Sequence, residues 1–117
     1  MATTMTPEVC IELHYPEALA FLQRHGPQAV AVVHDLVAQS RSDHGQLVVQ
    51  ASVRQITERL SSLSKDTVHR HMRALLLDGV LRRLVLEQTS RFEAPTYALN
   101  LAGSGISRAS SADPRSA

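Results

Sequence analysis

An α+β domain, mainly helical with a small β-hairpin, is the fold class this sequence predicts, on three observations. Apolar residues recur at helical spacing in four stretches, and Pro16, Pro27, Ser52, Ser64, Gly26 and Gly79 stand at their ends as start and stop signals. The period changes to two near the C-terminal end, where Tyr97, Leu99 and Leu101 alternate onto one side of APTYALNL. With 117 residues, 44% hydrophobic and 20% charged, the chain can bury one modest core and is too short for two ordinary ones.

The elements follow in order. Pro16 opens a helical pattern through PEALAFLQRH, with Leu19 and Leu22 one turn apart, and Gly26 stops it. Pro27 suits the first position of a second helix, PQAVAVVHDLVAQS, whose Val30, Val33 and Val37 recur at helical spacing. SRSDHG reads as a loop, and QLVVQ after it as a short strand ending at Ala51. Ser52 and Gln55 form S-x-x-Q, a capping box that starts a third helix with Val53, Ile56 and Leu60 inward. SSLS is a turn, and Ser64 caps a fourth helix, KDTVHRHMRALLLD, which Gly79 ends. VLRRLVLE and APTYALNL then read as two strands joined by QTSRFE. From Gly103 onward the chain is mostly Ser, Ala, Gly and Pro, with Arg108, Asp113, Arg115 and one isoleucine, and is expected to be a flexible tail over 103–117.

No apolar run approaches the roughly 20 residues of a membrane span, so no membrane partner is expected. The first residues, MATTMTPEVCIEL, lack the basic and apolar regions of a secretory signal, and Cys10 is the single cysteine, so a cytoplasmic, reduced setting is expected. The overall charge of +1 hides an uneven distribution. Residues 1–50 hold Arg24 and Arg41 against Glu8, Glu12, Glu17, Asp35 and Asp43, a net −3. Residues 51–92 hold Arg54, Arg59, Lys65, Arg70, Arg73, Arg82, Arg83 and Arg91 against Glu58, Asp66, Asp78 and Glu87, a net +4. Positive charge therefore lies where SSLSKDTVHRHMR concentrates hydroxyl, imidazole and guanidinium donors, the distribution a nucleic-acid footprint requires.

Two short helices joined by a tight turn and followed by a hairpin resemble a winged helix-turn-helix domain. The segment SVRQITERLSSLSKDTVHRHMRALLLDGVLRR is similar to the pattern in MarR-like and GntR-like bacterial regulators, with Ser64, Thr67, Val68, Met72, Leu75 and Gly79 in the recurring places. The resemblance covers about residues 26–101. It implies a recognition helix over 64–78, a hairpin wing over 80–101, and double-stranded DNA as the partner. An attached effector domain of the GntR type and the long dimerising helices of the MarR type are both missing from the pattern.

The same face follows from periodicity alone. At about 100° per residue, Val68, Met72 and Leu75 fall within about 60° of one another, and Asp66, Arg70, Arg73 and Leu77 fall opposite. His69 and Thr67 flank that outward face, and His71 borders the core. A helix of this kind fits the B-DNA major groove, with Arg70 matched to a guanine edge and His69 and Arg73 beside it. Ser52, Arg54, Ser64, Lys65 and Thr67 cluster at helix N-termini, where phosphate oxygens are favoured. Thr89, Ser90 and Arg91 stand in the hairpin loop, placed for phosphate or minor groove.

Six histidines raise the question of metal or catalysis. Cys10 and His14 could share a helical face, but a structural zinc needs about four ligands and no second pair is suitably placed. Asp66 and His69 lack an accompanying nucleophile or phosphate loop. No metal, cofactor, small-molecule ligand or enzymatic activity is expected. The reading is therefore a DNA-binding transcriptional regulator. The alternatives are a plasmid, phage or mobile-element protein for replication, partition or excision, and a protein-interaction module. Ile11, Leu13, Tyr15 and Phe21 exceed what two short helices must bury, and Leu77 faces away from the core. A homodimer built chiefly from residues 1–25, helped by Leu77, ahead of a 26–102 domain is thus expected, with half-sites about 10 to 10.5 base pairs or a multiple apart; the alternative is that residues 1–25 fold back over the domain's own core.

Overall fold

In the computed structural model, which describes residues 9–84 and 94–110, the chain runs β1 (Val9–Leu13), α1 (Glu17–His25), α2 (Pro27–Gln39), β2 (Arg41–Asp43), β3 (Gln46–Gln50), α3 (Val53–Arg59), α4 (Lys65–Leu77), β4 (Leu81–Leu84), β5 (Thr96–Leu99) and β6 (Ile106–Ser110). The α+β class is as the sequence predicts, with four helices and two small antiparallel sheets among the described residues. α2 is the most apolar helix and lies at the centre. Its Val32, Val33, Leu36 and Val37 are completely buried, and it touches α1, α3, α4, β1, β3 and β6. One sheet has the order β2-β3-β5-β4, and its Val49, Tyr97, Leu81 and Leu99 join the same core. β1 and β6 form a separate two-stranded ribbon.

Four sequence expectations are corrected. SRSDHG is not a loop: Arg41–Asp43 pairs back on β3, with Ser42 opposite Leu47. His44 at φ 53° and Gly45 at φ 78° make the connection, and positive φ at two successive residues is what a two-residue hairpin turn requires. The flexible tail is the second. Residues 106–110 pair with β1, and Ile106 is only 5% exposed. The Ser104 hydroxyl donates to the Leu101 carbonyl at 2.6 Å and accepts from the Ile106 amide at 3.0 Å, while the His14 amide donates to the Gly105 carbonyl at 2.7 Å. Composition undervalued this segment because its ordering comes from backbone pairing and one isoleucine. Residues 111–117 lie outside the described residues.

The third concerns residues 1–25. Phe21 is buried in the same cluster as α2 and Ile106, with Ile11 packed against it, so β1 and α1 belong to the one core and no boundary falls at residue 26. Leu19 and Leu22, one turn apart, are exposed, and α1 buries Ala18 and Phe21. The close approach of Ala18 to Gly105 sets this rotation: a Cβ at Gly105 would collide with the Ala18 backbone nitrogen and the His14 carbonyl. Cys10 and His14 do not share a helix either. Cys10 is exposed on β1, and His14 Nε2 lies 3.0 Å from the Ser107 hydroxyl.

Replacing Ile106 by Ala is expected to cost about 2 to 4 kcal/mol, the usual range for emptying a buried isoleucine site. The urea midpoint should fall with little change in slope. A midpoint equal to that of the unaltered chain would return residues 103–110 to the role of a tail.

Candidate nucleic-acid interface

α3 begins as its sequence dictates. The Gln55 amide donates to Ser52 Oγ at 3.1 Å and the Ser52 amide donates to Gln55 Oε1 at 3.0 Å, completing the capping box. Ile56 anchors the helix in the core. Arg59, at its last turn, donates from Nε to both Asp35 oxygens at 2.8 and 3.1 Å and from a terminal nitrogen at 2.9 Å. The Asp35 side chain is only 7% exposed, so this forked pair fixes α3 on α2. Arg59 is thereby removed from the cationic surface. Leu63 in the SSLS turn is buried, and its amide donates to the Leu60 carbonyl at 2.9 Å.

Ser64 caps α4: the Thr67 amide donates to Ser64 Oγ at 3.2 Å, and the Ser64 hydroxyl donates to Thr67 Oγ1 at 3.0 Å. This leaves the Thr67 hydroxyl proton free for an outside acceptor. Val68, Met72 and Leu75 are the buried stripe, as their spacing requires. On the other side Lys65, Asp66, His69, Arg70 and Arg73 are all exposed, and none of them forms an ion pair with another described residue. Leu77 is 88% exposed on the same stripe. Its position outside the core is what the periodicity predicts. His71 is half-buried and lies 3.3 Å from Gln28 Oε1. Arg54 is exposed and stands 3.7 Å from Glu58, an open pair between solvated side chains that leaves the guanidinium accessible.

Thr89, Ser90 and Arg91 lie outside the described residues. The strands that carry their loop are antiparallel, with Arg82 opposite Ala98 and Arg83 opposite Tyr97. Arg82 and Arg83 are both exposed, and β4 packs against α4. As consecutive strand residues they point to opposite faces of the sheet, so the Arg-Arg step, legible in the sequence, does not put two cations on one side. At the far end of α4, Asp78 lies 2.8 Å from His25 Nε2 and 3.8 Å from Arg24 Nε, joining the helix terminus to α1.

The arrangement supplies donors and cations, and little else. Among the described residues no group of three or more His, Cys, Asp or Glu is placed to hold a metal, and no helix is long and apolar enough to cross a membrane. A shallow groove of about 300 Å³ between the start of α2 and the α3–α4 turn is lined by Pro27, Gln28, Ala31, Leu60, Ser62 and Leu63, without a charged side chain. No family model matches the chain, and no curated protein or solved structure matches it.

Two histidines are held below the ordinary imidazole value. His71 is lowered first by burial, then by the Arg70 and His25 charges, and His34 is lowered by burial, its Nε2 lacking a hydrogen-bond partner among the described residues. Both are more easily protonated in the unfolded chain, so stability is full above about pH 6.5 and declines as pH falls below that value. The urea midpoint is expected to drop between pH 7 and pH 5, and less so in a His34→Gln, His71→Gln double variant. An unchanged pH slope in the double variant would place the acid sensitivity elsewhere.

Proposed function

We propose that the chain is a winged helix-turn-helix protein that occupies duplex DNA and thereby regulates transcription. The observation that carries this reading is the division of α4: Val68, Met72 and Leu75 are buried, while Lys65, Arg70 and Arg73 are exposed without an ion-pair partner among the described residues. A stable surface helix has no need of uncompensated arginines set among Ser, Thr and His, which are weaker helix formers. In this reading α3 supports α4, and α4 enters the major groove with Arg70 on a guanine edge. Ser64, Lys65 and Thr67 take phosphate oxygens at its N-terminus, and the β4–β5 hairpin is the wing. Arg82 and Arg83 add exposed cations to that hairpin, one on each face of the sheet.

Selection from a random duplex pool would identify the preferred site, and Arg70→Ala then tests the assignment. The variant is expected to lose about 1 to 3 kcal/mol at that site and to relax the preference at one position, with the circular dichroism spectrum unchanged. Equal affinity and equal base preference in the variant would remove α4 from the role of reading helix.

A further inference from the structure

The β1–β6 ribbon has an unused edge whose chemistry is complementary to itself. The His14 amide donates to the Gly105 carbonyl, continuing by one step the register that sets Leu13 opposite Ile106. Hydrogen-bonded and non-hydrogen-bonded pairs alternate in an antiparallel ladder. Glu12 with Ser107 and Cys10 with Ala109 are therefore the bonded pairs, and the amides and carbonyls of Val9, Ile11 and Leu13 point away from β6. Among the described residues β1 has no second strand partner and no backbone group meets that edge. Leu13 and Tyr15, at the end of the strand, are 43% and 66% exposed.

We infer that β1 pairs with β1 of a second copy of this chain, antiparallel about a two-fold axis at Ile11, to make a continuous four-stranded β6-β1-β1-β6 sheet. The choice of occupant rests on the edge itself. With the axis at Ile11, Ile11 faces Ile11 and Val9 faces Leu13 of the other copy, so every outward amide and carbonyl of the three residues finds a partner. A shift by one residue would set outward groups against groups already committed to β6. The strand's one charge, Glu12, falls directly opposite Cys10, and its own copy is a diagonal neighbour about 7 to 8 Å away rather than the facing residue. The strand carries no lysine, proline or bulge of the kind that guards an edge. Pairing also covers Leu13 and the surface beside Tyr15. The contact is isologous, as a closed two-fold dimer requires, and the inference is independent of any nucleic-acid role.

The single cysteine makes the test direct. Cys10 and its copy would be diagonal neighbours, with Cβ atoms about 7 to 8 Å apart, within reach of a short bis-maleimide linker. Sedimentation equilibrium of the full chain at tens of micromolar is expected to give a dimer, and the linker to trap it covalently through Cys10. Leu13→Pro removes an amide that β6 does not use, and Leu13→Lys places a charge at the edge while keeping the amide. Each is expected to lower the trapped yield at least tenfold and to shift sedimentation toward monomer. If the proline variant fails to fold, the lysine variant carries the test. A full-length monomer at 100 micromolar overturns the inference. So does a dimer that resists both substitutions and escapes the linker, which would move the interface to a surface such as that around Leu77.

Discussion

The arrangement depends on the complete burial of α2. A helix whose Val32, Val33, Leu36 and Val37 admit no solvent must be covered from several directions, and the rest of the chain supplies the cover: α1, α3 and α4, strand β3 of the larger sheet, and the β1–β6 ribbon. Burying such side chains contributes roughly 1.5 to 3 kcal/mol each before entropy is counted. That is why the segments at both ends of the chain fold onto the centre. The exposed outer face of α4 is a consequence: with Val68, Met72 and Leu75 committed inward, Arg70, Arg73 and Leu77 have nowhere to go but out.

Electrostatics refines this geometry. One polar residue of α2, Asp35, takes Arg59 in a forked ion pair and so fixes the turn between α3 and α4 against the core. At the opposite end of α4, Asp78 meets His25 and Arg24 of α1. Acidic groups thus tie the cations at the back of the helix pair, and Lys65, Arg70 and Arg73 are left without such partners among the described residues. The surface charge on α4 is a remainder after structural pairing, which makes it available to a polyanion.

Much of this was legible in the sequence because local signals carried it. Ser52 with Gln55, Ser64, and the Val68, Met72, Leu75 stripe specify caps and a face within a few residues, and the helix ends at Gly26 and Gly79 are equally local. What was not legible depended on partners far along the chain. Ile106 is a lone apolar residue in a polar tail until β1 is there to pair with it. The inward turn of Ala18 and Phe21 in place of Leu19 depends on Gly105, and Arg59 looks like a free surface cation until Asp35 of α2 is brought to it. The buried and exposed faces of α4 were readable, because periodicity alone divides inside from outside. On β4, Arg82 and Arg83 were read as charge alone, and the strand's place beside α4 came only with the fold. The expected contributions of Thr89, Ser90 and Arg91 lie outside the described residues.

The salt dependence of duplex affinity tests the central claim most directly, because contact with several phosphates must release counterions whatever the base sequence. With about four or five phosphates neutralised, log affinity against log salt is expected to fall with a slope of about −4, roughly 250-fold between 50 and 200 mM salt. A slope near zero, or no association with duplex at 50 mM, would contradict the account and leave the arginines of α4 as a solvated face.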